Sequence, residues 1–140
     1  MQLVISPQGY ELIVAGAILF LLGLVQGVAL PFVKNPRMAL SAHTDGLRSR
    51  LALIASGVIW NLFDLSQVQF QIAFYSALIG YYGLWIGITP ASITGASRAL
   101  PMAGESYSGS PAAELLATLL TRTSGTLILV SAGFTVIGLL

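Results

Sequence analysis

Cysteine is absent from this 140-residue chain, and charge is scarce. Without cysteine there is no disulfide, no thiolate metal site, no iron–sulfur cluster and no cysteine nucleophile. Charged residues make up only 8% of the chain, against 56% hydrophobic. A soluble domain usually carries about 25% charged residues. So few charges cannot cover a water-facing surface, so the reading is an integral membrane protein with one compact domain. The formal net charge of +1 provides no basic field for nucleic acid and no acidic tail. Also missing are a phosphate-binding glycine loop, a paired-carboxylate arrangement and a Ser/His/Asp constellation. The stretch GESYSG is not a nucleophile elbow, because it lacks the GxSxG pattern and its strand–helix context. The N-terminus has no basic region, and its apolar run is too long for a signal peptide, so it reads as a mature span.

What remains is four hydrophobic segments, giving an all-α membrane four-helix bundle with spans at about 12–33, 38–63, 68–93 and 112–140. The first is long enough to cross the hydrocarbon core at roughly 20 residues per span. Pro31 and Pro36 punctuate its end. In the third, Pro90 predicts a kink or an early stop. Ser97 to Pro111, rich in Gly, Ser and Pro, reads as a loop. Trp60, at the end of its span, reads as an interfacial residue. No coiled-coil heptad is evident.

The second segment is unusual. Its purely apolar part, Leu51 to Phe63, is too short to span alone. Extending it back to a start just after Pro36, where proline suits a first turn, takes in His43, Asp45, Arg48, Ser49 and Arg50. Helical spacing places His43, Gly46, Leu47 and Arg50 on one face, with Asp45, Arg48 and Ser49 in an adjacent stripe. Ionisable groups are expensive in a bilayer and mark functional sites by default. Both stripes should therefore face the bundle, a partner subunit or a cofactor.

Lys34 and Arg37 fall in the first loop and Arg98 in the third, while the termini and the second loop have no Lys or Arg. Positive-inside reasoning puts those two loops in the cytoplasm and both termini outside. Gly16 and Gly23 are one heptad apart, and Gly23–Gly27 and Gly83–Gly87 are GxxxG pairs that let helices approach closely. A subunit this small has little interior room, so a large ligand would sit between subunits.

His43, the only histidine, reads as a metal or haem ligand, a proton carrier, or a histidine bonded between helices. Zinc wants three or four protein ligands, which this chain does not supply. Haem needs one axial ligand. Arg48, Arg50 and Arg122 suit an anion such as a haem propionate, or an ion pair with Asp45, three residues from Arg48. Tyr82 and Tyr81 suit either donation to a substrate oxygen or packing in an aromatic belt.

The run from Gly16 to Gly46, GAILFLLGLVQGVALPFVKNPRMALSAHTDG, resembles the N-terminal half of the hydroxylaminobenzene mutase family, with its KNPRMxLSAHxxG pattern. Tyr82-Gly83-Leu84-Trp85 resembles that family's YANW motif, and Leu100-Pro101-Met102-Ala103-Gly104 its MMPIAG motif. The resemblance runs from about Gly16 to Gly104 and is weak in the last helix. The family is related to the styrene oxide isomerases, four-helix membrane homotrimers with haem b between subunits. The resemblance implies that His43 is the axial ligand, that ferric haem is a Lewis acid without net redox change, and that Tyr82 orients substrate. Ser49 stands where the family commonly has asparagine, and Leu84 replaces the asparagine before tryptophan. Serine is shorter with fewer donors, so the expected pocket has lost two amides.

The expectation is therefore a haem b isomerase in the cytoplasmic membrane of a bacterium. His43 would hold the ferric iron, Arg48 and Arg50 would balance the propionates, and Tyr82 and Ser49 would serve an apolar aromatic substrate. That substrate is an aryl hydroxylamine, giving an aminophenol, or an aryl epoxide, giving a carbonyl. The alternatives are a non-catalytic haem protein and a cofactor-free small transporter or structural subunit.

Overall fold

The computed structural model describes residues 4–140. Among them the chain is all helical. Its elements are α1 (Pro7–Ala29), α2 (Pro36–Ile59), α3 (Gln67–Thr94), a four-residue α4 (Pro101–Gly104) and α5 (Pro111–Leu139). Single 3-10 turns follow α1 and α2, at Leu30–Phe32 and Trp60–Leu62.

The helix starts share a local cause. Ser6, Asn35 and Ser110 each precede a proline, and each side chain accepts an N–H from the first turn. Proline fits the first helical position because its missing N–H would have no partner there, and the cap oxygen satisfies one orphan donor. Ser66 and Gln69 make a reciprocal capping box at α3. α1 thus begins more than a turn before the expected Leu12, at a Ser-Pro signal also present before α5.

α3 does not end at Pro90. It runs on to Thr94 and is closed by Gly95 in a left-handed conformation, φ 84°. The Ser97–Pro111 loop is not wholly irregular, since α4 lies within it.

α1 packs along α2 and α3 along α5, with α2 against α3 joining the pairs. α5 leans chiefly on α3. Both pairs are antiparallel. Gly9 meets Gly57, Gly16 meets Ile54, Gly23 meets Gly46 and Gly27 meets His43. In the other pair Gly80 meets Ile128, Gly83 meets Ser124 and Gly87 meets Thr121. The buried positions of α1 are Gly9, Leu12, Gly16, Leu19, Gly23 and Gln26. That alternation of three and four is a heptad seam, contrary to the sequence expectation. It is hard to read because half of its knobs are glycine.

Trp60 is also corrected. It is only 3% exposed and packs against Phe63, Phe70 and Phe74. Its Nε1 donates to Gln8 Oε1 at 3.3 Å. It anchors a core at the end of the molecule where α1 begins and α2 ends, and does not belong to an outer belt.

Three helical stretches are long and apolar enough to cross a membrane: Pro7–Phe32, Gln67–Thr94 and Pro111–Leu139. The chain reads as a membrane protein on that ground. α2 is also long, 24 residues, but carries Asp45, Arg48 and Arg50 in its middle and is not in that set.

Candidate active site

The face of α2 turned to α1 carries His43. Its Nδ1 lies 2.6 Å from the Gly23 carbonyl oxygen. The ring fills the notch at Gly27, where an added Cβ would sit 2.8 Å from Cε1. A carbonyl acceptor fixes the proton on Nδ1 and leaves Nε2 with its lone pair. Nε2 makes no hydrogen bond among the described residues. Two glycines one turn apart thus present a single imidazole nitrogen as a ligand.

Further along the same face Gly46 packs on Gly23. The Arg50 guanidinium lies 3.5 Å from the centroid of the Phe20 ring, a cation–π contact. Its Nε is buried without a partner. The neighbouring stripe turns toward α3 and α4. Ser49 is buried and donates a long, 3.4 Å hydrogen bond to Asp45 Oδ1, while Asp45 Oδ2 has no partner. Asp45 and Arg48 line an open cleft of about 440 Å³ between α2, α3 and α4, with Ser41, Thr44, Leu84, Ile88 and Met102. The expected ion pair between Asp45 and an arginine is not formed. The single salt bridge among the described residues is Arg37 Nη1 to Glu105 Oε1, 2.7 Å. Arg50 packs onto Phe20, and Arg48 shares the cleft with Asp45 without coming within ion-pair distance.

Tyr82 stands apart. Its Oη donates to the Ala15 carbonyl at 2.7 Å, and it lines a groove of about 310 Å³ between α1 and α3. Ala15 and Gly23 are eight residues apart (23 − 15 = 8), about 12 Å along the helix. Within one chain the fold therefore puts His43 and Arg50 on one face of α2, seven residues (50 − 43 = 7) and about 10 Å apart, joins Ser49 to Asp45, and keeps the Tyr82 hydroxyl at Ala15, nearer the level of Arg50 than that of His43.

Two residues that sequence reasoning passed over build the loop end. Asn35 is fully buried. Its Oδ1 accepts from Met38 N at 3.0 Å, and its Nδ2 donates to the carbonyls of Ala103 and Gly104 at 3.0 and 3.4 Å. The Asn of NPRM thus reads the backbone of the Met-Ala-Gly segment, which explains why the two motifs occur together. Glu114 is 3% exposed. Its carboxylate accepts the N–H groups of Ser97, Arg98 and Gly109 at 2.9–3.1 Å. The visible signal was a lone acidic residue in the first turn of an apolar span. Lys34 Nζ adds bonds to the Thr94 and Ser108 carbonyls, so the first and third loops interlock at one end.

No group of three or more His, Cys, Asp or Glu side chains able to hold a metal ion occurs among the described residues. That donor set does not fit zinc. It does fit a group needing one protein ligand, and the free Nε2 of His43 is such a ligand.

The family model for styrene oxide isomerase matches residues 8–140. The chain belongs to the styrene oxide isomerase family. The match includes α5, where the sequence resemblance was weak. Hydroxylaminobenzene mutase HabA of Ectopseudomonas oleovorans is 34% identical over 110 residues, covering 78% of this chain and 82% of that protein. Hydroxylaminobenzene mutase HabB of the same organism is 35% identical over 129 residues, covering 91% and 79%. No solved structure matches. With a family and relatives that are isomerases and mutases by name, this styrene oxide isomerase family member is an enzyme of the isomerase class.

Proposed function

We propose that the chain is a membrane-embedded, haem b-dependent isomerase that converts an aryl hydroxylamine into an aminophenol. The observation that carries this reading is His43, with Nδ1 tied to the Gly23 carbonyl, its ring in the Gly27 notch and Nε2 unengaged. The names of both curated relatives favour the hydroxylamine. An aryl epoxide, isomerised to a carbonyl compound, is the second reading, favoured by the name of the family.

The reaction is redox-neutral. In the hydroxylamine case the N–O bond breaks and a ring carbon gains the hydroxyl, while that carbon releases its hydrogen as a proton and nitrogen takes one up, so atoms and electrons balance. When bound, ferric haem supplies a Lewis acid that draws electron density from the N–O or C–O bond. His43 Nε2 would hold the iron, and the Gly23 carbonyl keeps the ring in one tautomer and one orientation. Arg48 and Arg50 would balance the propionates. Tyr82 exchanges the Ala15 carbonyl for the substrate oxygen and steadies it, and Ser49 is a second, shorter-reaching donor. The apolar walls exclude water, which strengthens each of these interactions.

The separation of Tyr82 from His43 along α1 supports a site completed by another subunit, and the family resemblance makes that assembly a homotrimer with haem between protomers. In this reading α2 also crosses the membrane, with its charged stripes turned inward or to a partner. The interlocked first and third loops, bearing Lys34, Arg37 and Arg98, lie in the cytoplasm of a bacterium, with both termini outside.

The test is the absorption spectrum and pyridine haemochrome of the detergent-purified protein, wild type and His43→Ala. The expected result is a Soret band with about one haem per chain in the wild type, lost in the variant together with mutase activity on hydroxylaminobenzene. Full haem occupancy and activity in the variant would overturn the ligand assignment. No haem after reconstitution with hemin would overturn the mechanism.

A further inference from the structure

Arg122 sits eleven residues into α5 (122 − 111 = 11), about 16 Å from its start. It is level with Trp85 and Ile86, in the C-terminal third of α3, because Gly87 faces Thr121 and Gly83 faces Ser124. It is exposed, on the side of α5 away from α3, one turn beyond outward-facing Leu115 and Leu119 on the same stripe. A cation placed there against hydrocarbon is costly and calls for a partner. No carboxylate pairs with it, or with Arg98, among the described residues. The two arginines instead line one groove of about 260 Å³ with Thr118, Leu115 and Glu114. Glu114, whose carboxylate accepts the backbone N–H groups of Ser97, Arg98 and Gly109, feels the charge of Arg98 and offsets part of it, but forms no ion pair with either arginine. Two guanidinium groups outside any ion pair, the Thr118 hydroxyl and Leu115 thus line the groove toward the loop end.

We propose that this groove is a binding site for an anionic phospholipid. Arg98 and Arg122 hold the headgroup phosphate, and the acyl chain lies along the leucines of α5. Charge complementarity selects the phosphate. The long arginine stem lets Arg122 climb from the apolar level toward the headgroup, and basic pockets on membrane helices take such groups. Leu115 in the groove and exposed Leu119 beside it favour a lipid over a free anion. The inference is independent of the reading of His43.

Native mass spectrometry of the purified protein in detergent, with added phosphatidylglycerol, phosphatidylcholine or inorganic phosphate, tests it. Wild type should retain one phosphatidylglycerol per chain and no phosphatidylcholine. Arg98→Gln and Arg122→Gln should each weaken retention about fivefold, the effect of one cation near a membrane surface. Arg37→Gln, which removes a charge paired elsewhere with Glu105, should leave retention unchanged. Equal retention of both lipids, wild-type retention in the Arg98 and Arg122 variants, or equal binding of inorganic phosphate would each overturn the proposal. If Arg122→Gln does not fold, Arg98→Gln, in the loop, decides alone.

Discussion

The two antiparallel helix pairs use glycine for different ends. In α1–α2 three glycines meet backbone or a rigid ring: Gly9 faces Gly57, Gly23 faces Gly46 and Gly27 faces the imidazole of His43, while Gly16 meets Ile54. In α3–α5 Gly83 and Gly87 meet the small side chains of Ser124 and Thr121, while Gly80 meets Ile128. Close packing of small residues is a general means of joining membrane helices. Only in the first pair does it also shape a slot for a functional side chain. The GxxxG spacing in the sequence is the same in both pairs, so the spacing alone does not distinguish a seam from a site.

Alanine substitutions sharpen that contrast. The largest effect is expected at Gly27→Ala. Its Cβ would lie 2.8–2.9 Å from His43 Cε1 and Nδ1, pushing the ring off the Gly23 carbonyl. Losing such a supporting contact costs about 10–100-fold in ligand affinity, measurable by hemin titration. Unchanged affinity would break the link between seam and site. Next comes Gly57→Ala, whose Cβ runs into the Gly9 carbonyl and lies 2.8 Å from Ile13 Cγ1. Backbone cannot step aside, so the helices must part, at a cost of about 1–3 kcal/mol read from denaturation in detergent. Gly83→Ala meets only the Ser124 hydroxyl end, which can rotate. It should cost under ~1 kcal/mol, and Ser124→Ala should restore the loss. If the Gly57 and Gly83 variants lose equal stability, the distinction drawn between the pairs is wrong. Smallest is Gly133→Ala, with nothing within 4 Å of the new Cβ. It should be neutral or stabilise by up to ~1 kcal/mol, the helix-propensity difference, and a clear loss would reveal an unseen neighbour at that face.

Much of the fold was legible because hydrophobic length and proline are strong, local signals. The helix starts at Pro36 and Gln67 fall within two residues of expectation. The face holding His43, Gly46 and Arg50 follows from helical spacing, and it does pack on α1. What was not legible depends on through-space partners. The sequence does not reveal that Arg50 finds the Phe20 ring, nor that Arg48, spaced for a pair with Asp45, stays beyond ion-pair distance. Trp60 looked interfacial because it ends a span, yet three phenylalanines, two of them from α3, surround it. The heptad of α1 was hidden by glycine at Gly9, Gly16 and Gly23, where a search for large apolar knobs finds none. Tyr82 belongs to a motif, but only the fold reveals that its hydroxyl reaches Ala15, away from His43.

Asn35 and Glu114 carry a consequence for the order in which the molecule is made. Asn35 leaves the ribosome early, but its side-chain amide has to wait for the carbonyls of Ala103 and Gly104, nearly seventy residues later. Those carbonyls belong to a loop whose ends are gathered by Glu114, from the last helix to be synthesised. Domains assemble from the N-terminus as the chain emerges. The α1–α2 hairpin with its histidine slot can therefore form on its own, while the floor under α4 closes only when α5 arrives. A chain stalled before residue 114 should already hold His43 against Gly23 and still leave the cleft beside Asp45 without its α4 wall.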